Sequence, residues 1–373
     1  MGFTMGLNLL LLLAMVATNI LSLYHLSTTM ITTKPTGNPN PPVPDHLLRQ
    51  LQTIRATINH LTRHQPNPVS TTPSTTTTTA PSDLLLYTQL SPIASACRHH
   101  PDLLHQYMNY TPFSPCPASS SSAGEPLILR GCHPLPRRRC FSLTTNKHPS
   151  QLPANPFSPV PENSILWTNY KFKDLHSLNP DLGFDLKIEK TRFLNSKSDL
   201  DLPISQLIDI AKKSKSVLRL GLDIGGGTAT FAAQMKEQNV TVITTTMSLG
   251  APYNEMAALR GLVPLHMPLQ QRLPVFDGVV DLVRCGHAVN RWIPVQALEF
   301  MLYDVDRVLR GGGFLWVDRF FSKSVDLDKV YGPLIGKLGY KKVKWAVGKK
   351  TDASGVKNGE VYLTALLQKP VSR

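Results

Sequence analysis

Charge is scarce in this sequence. Charged residues make up 17% of the chain, where soluble domains carry about a quarter, and residues 1–33 hold no Lys, Arg, Asp or Glu at all. Acidic residues are the scarcer kind, 25 against 39 basic ones, so the chain is no acidic self-repelling coil and its charge of +14 favours anionic partners. Cysteine is limited to five, with no CxxC pair, and His99, His100 and His133 lack the spacing of a zinc finger. Proline is the residue in excess, 31 of 373 against a usual share of about 5%. With 42% hydrophobic residues a core can be built, so an uncharged, proline-rich segment must be diluting a globular part.

The uncharged start contains the run Leu7 to Leu23, interrupted only by Asn8, Thr18, Asn19 and Ser22. At about 1.5 Å per residue it spans a thin bilayer. Residues 1–33 are expected to be an uncleaved signal anchor; a cleaved signal peptide is the alternative, although its basic n-region is missing. Residues 34–82 read as a disordered stem. Within it, Leu47, Leu51, Ile54, Ile58 and Leu61 step by four and three over residues 45–64, which suits either a short coiled coil joining two copies or one amphipathic helix. The Ser/Thr/Pro tract from Pro66 to Ser82 resembles an O-glycosylated spacer.

Residues 83–200 form a connector containing Cys97, Cys116, Cys132 and Cys140; only Cys285 lies elsewhere. In a secretory setting four clustered cysteines suggest two disulfides, with three pairings open. No metal site is expected. Asn109-Tyr110-Thr111 and Asn239-Val240-Thr241 are formal glycosylation sequons.

Residues 201–373 alternate regularly. An apolar run from Ser216 to Leu222 leads into Asp223-Ile224-Gly225-Gly226-Gly227-Thr228-Ala229-Thr230, and a helical segment follows to Gln238. Strand, glycine turn and helix open a nucleotide-binding α/β sheet, because glycines let a ligand approach the backbone and the helix presents its N–H groups there. Further strands are expected at Val240–Met247, Leu262–Met267, Val279–Val283 and Gly313–Asp318. Lys341–Val347 and Val361–Gln368 are expected to close the sheet as an antiparallel hairpin. A dinucleotide would need an acidic residue about 20 positions after the turn, and Val242 to Leu249 has none. D-x-G-x-G instead suits S-adenosylmethionine (SAM).

At this point the chain resembles the class I SAM-dependent methyltransferases. Their D-x-G-x-G-x-G turn matches Asp223, Gly225 and Gly227, with Ala229 in the last place. Leu273-Pro274-Val275-Phe276-Asp277-Gly278-Val279-Val280-Asp281-Leu282-Val283 matches their LPFxDxxFDLV segment, and Asp306 to Phe314 their RVLKPGG turn with Gly311 for proline. Tyr107–Cys116, Arg137–Phe141, Ile165–Tyr170 and Ala257–Gly261 further resemble a plant Golgi methyltransferase family associated with pectin. That resemblance implies a Rossmann-like methyltransferase sheet, a single-pass Golgi membrane protein with a lumenal C-terminal domain, and an acidic cell-wall polysaccharide or a small molecule as acceptor.

The same resemblance assigns SAM contacts to Asp223, Gly225, Gly226 and Gly227, to Thr246 at the end of the second strand and to Asp281 in the second motif. Asp223 would meet the ligand's amino group or merely brace the turn. Two departures stand out. Thr244 to Met247 replace the acidic residue that grips the ribose, and Leu269, beside Gln270, replaces the one near adenine. Each missing contact is worth about 1.5–3 kcal/mol, with threonine hydroxyls or Glu255 as partial substitutes. In the loop after the fourth strand, His287 is a candidate base, and Arg284 and Arg291 are candidates to hold an acidic sugar. Asp318 and Arg319 are expected at the end of the fifth strand, shaping the same cleft. Lys341, Lys342, Lys344, Lys349 and Lys350 make a basic edge, either solvated or tracking a polyanion; nucleic acid is not expected. The reading is a SAM-dependent methyltransferase of the secretory pathway. Its alternatives are a non-catalytic scaffold of the same fold and a tethered small-molecule O-methyltransferase.

Overall fold

Alternation of side chains along extended segments explains the centre of the molecule. In the computed structural model, which describes residues 93–144, 155–167, 170, 190–286, 288–351 and 353–372, strand β1 (Leu220–Ile224) sends Leu222 and Ile224 into one core and Asp223 to the other face. Such period-two patterning is what a sheet covered on both sides demands. The anchor and the stem expected over residues 1–82 lie outside the described residues. All described residues belong to one unit, Leu85–Arg373.

Among the described residues, seven strands make one sheet in the order β3-β2-β1-β4-β5-β7-β6. Strands β2 (Thr241–Thr246), β3 (Val263–His266), β4 (Val280–Cys285) and β5 (Leu309–Lys323) run parallel to β1 and to one another; β7 (Glu360–Gln368) is antiparallel to both of its neighbours, β5 and β6 (Lys341–Lys349). The hairpin expected at the C-terminus is therefore present, with a short helix, Ala353–Asn358, in its loop. The order reverses between β1 and β4, and ligands of such sheets bind beyond the strand ends at that point.

Among the described residues, three short helices lie around the clustered cysteines: α1 (Pro101–Met108), α2 (Ala118–Ser122) and α3 (Gly124–Leu129). They surround a small core of Cys97, Tyr107, Ala123, Leu127 and Cys132, stapled by the disulfides Cys97–Cys132 and Cys116–Cys140. Closing loops of 35 and 24 residues restricts the unfolded chain by about 3–4 kcal/mol each in the chain-entropy account, which suits a core this small. Of the three pairings left open by sequence, the structure selects this one.

Helices α4 (Ile204–Lys213), α5 (Thr230–Lys236) and α6 (Tyr253–Leu259) pack on the Asp223 side of the sheet. Helix α7 (Val295–Val308) buries Leu298, Met301, Leu302 and Val305 on the opposite side. Strand β5 is longer than expected: it continues through Asp318 to Lys323, with a bulge between Val317 and Phe320. Asp318 and Arg319 are thus inside a strand rather than at its end, and Arg319 pairs with Asp201.

Cys285, the one free cysteine among those described, is buried, and burial, with Asp223 close by, pushes its thiol up to about 12. Native protein is expected to give no reaction with a thiol reagent at pH 8, and unfolded, unreduced protein one thiol per chain. Two or more thiols in the second assay would break the disulfide assignment.

Candidate functional site

The glycine turn is shaped from below. Gly225 N–H donates to Thr245 Oγ1 at 3.1 Å and Gly226 N–H to the Thr245 carbonyl at 3.2 Å, so the end of β2 carries the turn. Gly225 has φ +69°, and a Cβ there would lie 2.3 Å from that of Ala288; at Gly226 it would lie 2.1 Å from Asp223 Oδ2. Neither site admits a side chain. Ala229, in the place of the pattern's last glycine, still adopts a left-handed φ of +64° as the N-cap of α5, at a cost of roughly 1–2 kcal/mol. From behind, the buried Arg260 at the end of α6 donates to the carbonyls of Thr228 (2.7 Å) and Pro156 (2.8 Å).

Below the turn lies a row of charge. Asp223, Arg284 and Asp318 occupy neighbouring strands β1, β4 and β5, all buried. Arg284 donates through Nη1 to Asp223 Oδ1 at 2.7 Å, and through Nε and Nη2 to Asp318 Oδ2 at 3.0 and 2.5 Å. The guanidinium sits 4.9, 5.1 and 5.6 Å from the ring centres of Phe193, Phe231 and Trp316, a cation among aromatic faces. Burial alone would lower its proton affinity, but the two carboxylates outweigh that and hold it above the usual arginine range. Burial raises the Asp223 carboxyl, and Arg284 opposes the rise.

Above the turn is a cavity of about 470 Å³, a size that takes a cofactor. The glycines floor it, Thr245, Thr246 and Met247 close the β2 side, and Met267 to Gln270 the β3 side. Beyond Gly227 a Cβ would meet nothing within 4 Å, and beneath Gly226 the buried Asp223 Oδ2 and Thr244 Oγ1 have no hydrogen-bond partner among the described residues. The cradle and the volume fit SAM: Gly225 to Gly227 and Thr246 would hold its methionine and ribose portions. When bound, the cofactor supplies a methyl group on a sulfonium sulfur.

Several expected residues stand elsewhere. Arg284 is in β4, not in the loop after it, and its charge is spent on Asp223 and Asp318 rather than left for a sugar. Asp223 does not line the cavity; it lies under Gly226, so it braces the turn. Asp281 sits at the opposite end of β4, where Oδ2 accepts the N–H groups of Arg219 and Leu220 and the side chain pairs with Arg310. That end is roughly 13 Å from the glycine turn at the usual strand rise. Arg291 donates from Nε to Glu360 at 2.6 Å and anchors its loop. Glu255 accepts the Leu166 N–H at 3.0 Å, serving that segment instead of a ribose. His287 lies outside the described residues.

Sequence reading missed Arg192, Phe193, Leu129, Tyr253, Asn290 and Trp292, all of which line the cavity. Trp292 stood in the loop already singled out; Arg192 and Phe193 gave no local signal.

Removing the guanidinium by Arg284→Met should leave two buried carboxylates unpaired and cost about 3–5 kcal/mol, measured by urea unfolding. A loss below about 1 kcal/mol would show the pairs to be dispensable. Gly226→Ala should weaken SAM binding at least tenfold by calorimetry, because the new methyl displaces the turn.

Residues 184–326 match a family model described as "Putative S-adenosyl-L-methionine-dependent methyltransferase". A probable methyltransferase of Arabidopsis thaliana is 64% identical over 388 aligned positions, covering 100% of both chains. A second Arabidopsis thaliana probable methyltransferase is 30% identical over 116 residues, 31% of this chain and 17% of that one. The solved N-methyltransferase NodS of Bradyrhizobium japonicum aligns with a TM-score of 0.33 and 13% identity over 50% of this chain and 98% of that one; likeness at that level says nothing of function. With the sheet order, the glycine cradle and a relative matched end to end, the chain belongs to the class I SAM-dependent methyltransferases, in the plant family of probable methyltransferases.

Proposed function

We propose that the protein transfers the SAM methyl group to a carboxylate of an acidic cell-wall polysaccharide, in the lumen of the Golgi and tethered by its N-terminal segment. The observation that carries the acceptor chemistry is the make-up of the cavity wall. Among the described residues it contains no carboxylate, and it contains the cation Arg192; Arg284, which also reaches the wall, is already held by Asp223 and Asp318. A hydroxyl acceptor needs its proton removed. A carboxylate, with a reference pKa of about 4, arrives ionised and needs only alignment with the methyl group and the sulfur. The chain's tasks are then to seat the cofactor on Gly225 to Gly227, to close the wall with Tyr253 and Asn290, and to keep the acceptor's charge near cations. A lumenal address is supported by the two disulfides and by the exposure of Asn109 and Asn239 in their sequons. Pairing of two copies through residues 45–64 belongs to the same proposal.

A second reading, a scaffold of the same fold without turnover, draws on Thr246 and Leu269 standing where acidic residues would grip the ligand. Calorimetry of the full chain in detergent with SAM separates the two. Saturable binding is expected, and no heat at millimolar SAM would end the catalytic reading. Labelled methyl should then pass to de-esterified pectin, at a rate varying less than about threefold between pH 5.5 and 8, since the acceptor stays ionised throughout. Label on a phenolic panel alone, or a rate collapsing below about pH 6.5 as a histidine base would dictate, would replace the carboxylate acceptor by a hydroxyl one.

A further inference from the structure

Trp292 is 73% exposed at the mouth of the cofactor cavity, although a tryptophan has much apolar area to gain by burial. Its loop is not loose. Asn290 Oδ1 accepts the Trp292 N–H at 2.9 Å, and Arg291 N–H donates to the Phe321 carbonyl on β5 at 3.2 Å. The Arg291 side chain is fixed on Glu360 at the start of β7. The indole packs edge-on against Phe321 with centroids 4.9 Å apart, and Phe321 in turn meets Tyr362 at 6.4 Å. This is an aromatic plane held rigid from beneath while its outer face meets water.

Cations gather at the same end of the sheet. Lys350 Nζ lies over the rings of Phe321 and Tyr362 at 5.4 and 6.0 Å and 3.5 Å from Glu360. One carboxylate thus serves both Arg291 and Lys350, and the cluster keeps a net positive charge. Register sets exposed Lys323 opposite Glu360, on the face that carries Phe321 and Tyr362, whereas Lys349 opposite Val361 belongs to the other face; exposed Lys357 sits just before β7. Asp326 and Asp328 on the following helical run reduce this surplus without cancelling it.

We propose that this shelf is the acceptor subsite. A pyranose ring carrying a carboxylate lies with its apolar C–H face on the Trp292 indole, its charge toward Lys323, and Trp292 selects the ring presented to the cavity that it also lines. The C–H groups of a sugar face are weakly positive and are drawn to the indole as cations are. An open, one-sided shelf suits a ring within a polymer, whereas an aryl acceptor would need both faces covered to gain as much. The assignment rests on the carboxylate-transfer reading above, and the two can fail separately.

The test uses the full chain in detergent, titrated calorimetrically with a de-esterified oligogalacturonide, its fully methyl-esterified form and ferulate, with SAM binding measured on every variant. De-esterified oligomer is expected to bind wild type saturably and the esterified form at least tenfold more weakly. Trp292→Ala should cost at least tenfold in oligomer affinity, and Trp292→Phe should recover most of it. Lys323→Ala should lower affinity and flatten its salt dependence. Equal oligomer binding by wild type and Trp292→Ala, equal binding of both oligomers, or ferulate competing at Trp292 more tightly than the oligomer would each overturn the shelf. No oligomer binding with intact SAM binding would also remove the shelf while leaving the methyltransferase. Oligomer binding without SAM binding would remove the carboxylate-transfer reading and leave the shelf.

Discussion

Arg284 ties three strands together at the point where the sheet changes direction. An unpaired guanidinium or carboxylate at this depth would cost several kcal/mol, so Asp223, Arg284 and Asp318 are each tolerable only in the presence of the others. That mutual dependence fixes the spacing of β1, β4 and β5 at their cofactor ends. Phe193, Phe231 and Trp316 exclude water around the cation, which strengthens the pairs relative to exposed ones. The glycine turn then rests on Asp223, and the cavity exists because the turn is held there.

Much of this was legible in the sequence, for a physical reason. Glycines at 225 to 227 after an apolar run have few uses other than a tight turn under a ligand, and strands buried on both sides announce themselves as largely apolar runs, as at Val279 to Val283, where only Asp281 is polar. Residue roles were less legible. A strand's end is hard to place from its residues: β4 runs two positions further than expected, which brings Arg284 into it, and β5 runs five further, which puts Asp318 in its interior. Asp281 lies in a matched motif, yet its direction along the strand puts it at the far edge. Pairing partners distant in sequence, such as Arg291 with Glu360 or Arg260 with Thr228, leave no local trace at all.

The missing ribose carboxylate also reads differently once the neighbours are known. The end of β2 is occupied by threonines, of which Thr245 already carries the glycine turn through its hydroxyl and carbonyl, and Asn254 Nδ2 donates to the Thr246 carbonyl at 3.3 Å. That edge of the cavity is built from neutral hydrogen-bonding groups, so recognition there depends on shape and amide or hydroxyl contacts more than on charge.

The disulfide-stapled helices have a part in the same cavity. Leu129, three residues before Cys132, forms one wall. Glu125, one turn earlier on α3, meets His266 at the end of β3 at 2.6 Å and accepts the Ser248 N–H at 3.3 Å. The two disulfides close the small core on which Leu129 and Glu125 are carried, so this wall of the cavity is tied to covalent bonds as well as to burial. Reduction of those bonds would therefore reach the cofactor chamber through its wall, while the sheet and the charged row beneath the glycine turn contain no disulfide to lose.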